Sequence, residues 1–255
     1  YDAFLPVVAP KEKIDSISAR GYALGYVGGG LLLALNLLMI MKPAWFGIPT
    51  TQLATQLSFL SVGIWWFLFS IPIFRYVQEP ETSRQDKMET PLVSSAFRHL
   101  VQTFSEIRKY RHLFLFLLAF WLFNDGIATI IRMASSYGSS IGIAGNDLIA
   151  ALLLTQFIGI PCSFFFGWLA ERITAKRALF VALWVYVLIV ALGFMMKTAL
   201  HFYILAMLVG LVQGGAQALS RSLYGSMIPQ GRYSEFFGFF GISSKFSAIF
   251  GPFLF

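Results

Sequence analysis

Seven stretches of about twenty mostly apolar residues follow one another along this chain, and no other feature limits its folding so strongly. They run from Gly21 to Met41, Leu57 to Val77, Leu113 to Ile131, Leu148 to Trp168, Ala178 to Met196, Phe202 to Leu219 and Phe236 to Phe255. A helix of about 20 apolar residues crosses a hydrocarbon layer of roughly 30 Å. Inside lipid the backbone must satisfy its own N–H and C=O groups, which leaves helices and closed barrels, and the unbroken apolar runs exclude barrel strands. With 57% hydrophobic and only 12% charged residues, one water-soluble core could not enclose this surface. The expected fold is all-α, a polytopic membrane bundle with lipid as part of its solvent.

The net charge of +7 is explained by where the basic residues fall. Those in alternate loops, such as Lys11, Lys13, Arg20, Arg75 to Arg111, Arg172, Lys176, Arg177, Arg221 and Arg232, total fifteen, against Lys42, Arg132 and Lys197 on the other side. The positive-inside rule places the amino end and the long loop in the cytoplasm, and no nucleic-acid partner is needed. Cys162 is the only cysteine, so no internal disulfide or thiolate metal site can form. Tyr1 is not a methionine and Phe255 lies inside an apolar run, so more chain is expected beyond both ends.

The polar run Glu79-Pro80-Glu81-Thr82-Ser83-Arg84 marks the clearest internal boundary. It divides the chain into residues 1–77 with two spans, a connecting loop over 78–112, and residues 113–255 with five spans. Within the loop, Phe97, Leu100, Val101, Phe104 and Ile107 recur at helical spacing, as in a helix lying in the headgroup region or one covering other loops.

After the fourth span, Gly167 is followed by Glu171, Arg172, Lys176 and Arg177. This loop resembles the signature loop of the major facilitator superfamily, which implies that the acid and bases latch a cytoplasmic gate. Thr174 and Ala175 depart from that pattern, standing where the superfamily has a second glycine and often a base. A plain positive-inside loop is the competing account. Longer stretches, Tyr1 to Pro6, Ser18 to Asn36, Asn124-Asp125-Gly126 and Leu211 to Leu223, resemble the vacuolar amino-acid effluxers linked to autophagy and their bacterial relatives. That resemblance covers nearly the whole chain. It implies a bundle of about twelve spans in two six-helix halves, of which these seven would be the fifth to the eleventh. It also implies amino acids as solutes and, for a bacterial member, the inner (plasma) membrane.

Asp125 lies 12 residues into the third span and Lys245 nine into the seventh, about 18 Å and 14 Å along their helices. Charges at such depth cost about 2.5 to 3.5 kcal/mol unless they face protein or water, so both are candidate ion-coupling groups, with Asn124 beside them. The structural alternatives are an Asp125 pair with Arg132 two turns on, and a snorkelling Lys245. In the sixth span Gln213, Gln217 and Arg221 recur every four residues, a polar stripe suited to a small polar solute or to interhelical hydrogen bonds. Gln156 is a weaker candidate and Asn36 weaker still. Arg221 joins the gate residues. Gly21, Gly25 and Gly29 are expected to serve close helix packing, and Pro72, Pro161 and Pro252 to kink their helices.

No nucleophile–base pair or metal motif appears, so no enzyme, cofactor or metal is expected. Two functions remain. One is a secondary transporter working by alternating access, exporting or exchanging a small polar solute such as an amino acid, with protons as the coupling ion. The other is a seven-helix receptor or retinal protein, with Lys245 and Asp125 as lysine and counter-ion. The loop charges, the missing chain and the gate loop oppose the second.

Overall fold

The computed structural model describes residues 1–77 and 106–254. Among the described residues seven long helices carry the fold: α1 (Ile14–Met41), α2 (Thr51–Tyr76), α3 (Arg111–Ser140), α4 (Gly145–Ile173), α5 (Ala175–Gly193), α6 (Ala199–Met227) and α7 (Tyr233–Leu254). All seven are long and apolar enough to cross a membrane. Phe59, Trp66, Phe74 and Trp184 remain exposed, a surface that lipid solvates at no cost and water would not.

The helices outrun the apolar stretches at most ends. α1 begins at Ile14, seven residues before Gly21, because Asp15, Ser16, Ser18 and Arg20 are polar but still helical. Two starts are set by threonine caps: Thr50 Oγ1 accepts from Leu53 N–H at 3.2 Å, and Thr198 Oγ1 from His201 N–H at 3.4 Å. The helix expected over Phe97 to Phe104 lies outside the described residues. Ile107, at its end, is fully buried against Leu113, Tyr224 and Phe236.

α6 packs most extensively on α4, and α1 lies against both. Glycines set the closeness of this trio. A Cβ at Gly210 would stand 2.8 Å from the Thr155 carbonyl oxygen, and one at Gly214 would collide with the Ser163 hydroxyl. α5 covers the outer side of α6, closing a core of Phe166, Ala182, Tyr186, Val212 and Leu219. α3 pairs with α7. α2 leans on α1, where Ser61 Oγ donates to Asn36 Oδ1 at 2.9 Å, so Asn36 serves a helix contact. Before α1, the short turns Asp2–Phe4 and Leu5–Val8 tuck under α6 and α7.

Candidate solute cavity

The i, i+4 spacing of Gln213, Gln217 and Arg221 puts all three on the face of α6 that looks toward α1. With Gln156 from α4 they line a cavity of about 330 Å³. α1 supplies the opposite wall through Tyr22, Tyr26 and the glycine series. Gly21, Gly28 and Gly30 lie against Arg221, Trp65 and Gln156, but among the described residues a Cβ on Gly25 or Gly29 would meet nothing within 4 Å, so these two do not serve the expected packing there. Gly25 and Gly29 border open space, while Gly210, Gly214, Gly215 and Gly167 make close approaches between helices. Gly167 lies so near α1 that an added Cβ would come 2.7 Å from the Ala19 methyl.

Among the described residues, none hydrogen-bonds the carboxamides of Gln156, Gln213 or Gln217. Each amide presents two N–H donors and an acceptor oxygen to the cavity. Gln156 and Gln213 also border a second, mostly apolar cavity of about 830 Å³ toward the far ends of α3, α4 and α6. The two spaces therefore meet at these two side chains.

At the end where the chain begins, Arg221 lines the smaller cavity. Its Nε donates to Ser18 Oγ at 3.1 Å and its Nη2 to the Ser18 carbonyl at 3.2 Å. Nη1 reaches Asp2 Oδ1 at 3.0 Å and the Tyr1 hydroxyl at 3.4 Å, and the guanidinium carbon lies 4.8 Å from the Tyr22 ring centre. Ser18 Oγ itself donates to the Ala218 carbonyl at 2.7 Å, tying α1 to α6. Asp2, Ser18, Tyr22 and Tyr26 escaped the sequence reasoning; the spacing of Tyr22 and Tyr26 on the glycine face was the available signal. Beside this end Arg232 pairs with Glu106 and Glu235. Desolvation lowers its pKa, but the bonds to Glu235 and Glu106 outweigh this and raise it.

Asn124 and Asp125 meet α7 at a break in its helix. Pro252 lacks an N–H and crowds the carbonyl four residues back, that of Ala248, whose φ of −87° and ψ of 16° leave the helical range. The freed Ala248 oxygen accepts from Arg132 Nη1 at 3.0 Å. Gly251 N–H donates to Asp125 Oδ1 at 2.9 Å, and Asn124 Nδ2 donates to Ser247 Oγ at 2.6 Å. Asp125 and Arg132 thus do not pair with each other; both serve the α7 backbone. Pro72 and Pro161 lie inside α2 and α4.

Lys245 is exposed on α7, and among the described residues no ion pair joins it to Asp125. Matching depth did not bring them together, which removes the geometry of a retinal lysine and its counter-ion. Glu171, Arg172, Lys176 and Arg177 are exposed around the α4–α5 turn and form no ion pair among the described residues. Arg172 sits 5.4 Å from the Trp168 ring centre. Thr174, which stands where the superfamily has glycine, adopts φ 86° and ψ 146°, a region that favours glycine.

Residues 8–255 match the sequence profile of the family described as "Vacuole effluxer Atg22 like". The chain is 42% identical to the uncharacterized MFS-type transporter YxiO of Bacillus subtilis over 255 residues, all of this chain and 59% of that protein. It is 26% identical to Autophagy-related protein 22-1 of Aspergillus niger, covering 92% of this chain and 41% of that protein. Identity to Autophagy-related protein 22 of Saccharomyces cerevisiae (strain S288c) is 24%, over 95% of this chain and 52% of that protein. The chain spans about half the length of these relatives. The profile match runs through all seven membrane-crossing helices, and the chain belongs to the vacuole effluxer Atg22-like family, as a multi-pass integral membrane protein.

Proposed function

We propose that this chain forms part of a secondary transporter that moves a small polar solute, such as an amino acid, by alternating access. The observation that carries the reading is the set of three carboxamides around the smaller cavity that have no hydrogen-bond partner among the described residues. Unspent donors and acceptors beside an open glycine wall suit a zwitterion and are a poor lining for an apolar ligand. The names of the relatives, a transporter and vacuole effluxers, agree with it.

In this reading residues 1–77 end one half of the transporter, 78–112 connect, and 113–255 belong to the other half. The amino end faces the cytoplasm by the charge rule, in a bacterial inner membrane. Arg221, Asp2 and Ser18 close the cytoplasmic mouth, so the state described opens away from it. Glu171, Arg172, Lys176 and Arg177, without ion pairs among the described residues, are then available beside the closed mouth to pair when the halves rock. Asp125, bordering the larger cavity, is the proton-coupling group, and its bond to Gly251 N–H lets a change of protonation act on the α7 kink. Lys245 contributes no bond to Asp125 and faces outward.

The test is counterflow by the full-length protein in liposomes preloaded with unlabelled amino acids. Labelled amino acid should accumulate, and Gln213→Ala with Gln217→Ala should lower its apparent affinity about tenfold per lost hydrogen bond, near 1.4 kcal/mol each. Counterflow unchanged by both substitutions would move the solute site elsewhere.

A further inference from the structure

Arg221 is held in two different ways. Nε and Nη2 bond Ser18, which belongs to the 28-residue helix α1, whereas among the described residues Nη1 bonds Asp2 and Tyr1, at the short turns that precede it. The Arg221 side chain is 8% exposed and that of Asp2 34%. Asp2 can therefore leave toward water, but the guanidinium cannot follow. It would stay desolvated and positive, and breaking a buried pair by removing one partner is strongly unfavourable. Arg221 also borders the smaller cavity, one helical turn from Gln217.

We propose that Asp2 occupies the place of a solute carboxylate. A carboxylate entering the cavity takes over Nη1 of Arg221, Asp2 swings out, and the segment carrying it leaves α6 and α7, so the mouth opens only when an anionic solute group has replaced the internal one. This deepens the transporter reading above and rests on it. The group replaced selects the class: an incoming carboxylate matches Asp2 in charge and in its planar pair of acceptor oxygens, so Nη1 keeps the kind of partner it has in Asp2. Opening is then driven by binding, since the solute gains its best partner only in the open state.

The experiment measures binding of an equimolar mixture of the twenty L-amino acids to the detergent-purified full-length protein, against the matching amino-acid amides and inorganic phosphate. Asp2→Asn removes the internal competitor and should tighten amino-acid binding about tenfold, because the binding-competent fraction rises, while Asp2→Glu stays near wild type. Amides and phosphate should gain nothing. As a second readout independent of that variant, a cysteine placed at Leu5, buried in the closed segment, should react faster with maleimide when amino acids are added and not when amides are. Equal affinity in wild type and Asp2→Asn, with Gln213→Ala still weakening binding, overturns the exchange and leaves the solute site standing. Loss of amino-acid binding in every form overturns both. Tighter phosphate binding in Asp2→Asn overturns the carboxylate assignment.

Discussion

Replacing Asp125 in two ways separates its hydrogen bond from its charge. Its Oδ1 accepts from Gly251 N–H at 2.9 Å, beside the break that Pro252 makes in α7 at Ala248. Asp125→Ala takes the carboxylate acceptor away from that N–H and the tie between α3 and α7 with it, which costs about 1–3 kcal/mol. Asp125→Asn keeps an oxygen in the same place and should cost less than about 1 kcal/mol. Unfolding of the full-length protein in micelles of rising SDS fraction reads these differences directly. The pair also bears on coupling: Asn should keep the fold yet lose the response of transport to an imposed pH gradient. If Asn destabilises as much as Ala, the charge rather than the acceptor holds α7, and the account of the kink is wrong. If Asn transports with an unchanged pH response, Asp125 is a structural residue only.

Other consequences are simpler to read. Thr174→Gly should stabilise the protein by about 1 kcal/mol in the same unfolding assay, because relief of a strained φ of 86° exceeds the added chain entropy; a loss of stability would contradict that strain. Gly214→Ala should destabilise by about 1–3 kcal/mol, since the methyl meets Ser163 and the Tyr26 ring, whereas Gly29→Ala meets nothing and should stabilise its helix by about 0.5–1 kcal/mol. Equal effects from the two would mean that α1, α4 and α6 are packed differently from this description.

Depth was legible in the sequence and azimuth was not. Apolar length located all seven helices, because lipid thickness is a direct constraint on each one. Their ends moved, as at Ile14, because polar residues such as Asp15 and Arg20 continue a helix outside the hydrocarbon. The Gln213, Gln217, Arg221 stripe emerged from spacing within one helix, and the three do share one cavity. Asp125 and Lys245 show the limit: the rise per residue matched their depths, but which way each side chain faces depends on neighbouring helices. Likewise glycines four apart can admit a helix or hold a space open, and only the opposing wall decides, as Gly25 and Gly214 show. The bonds of Arg221 to Ser18 and Asp2 join residues about 200 positions apart, beyond any local pattern.

The most direct test of the solute cavity is protection of a thiol placed in its glycine wall. In full-length protein cleared of cysteines, including Cys162, Gly29→Cys should fold, because its side chain enters open space. Labelling by a small methanethiosulfonate reagent should be rapid, and it should slow severalfold when the transported amino acid is added. A labelling rate unmoved by saturating amounts of any solute that the protein carries would contradict the assignment of the space between α1, α4 and α6 as the solute site.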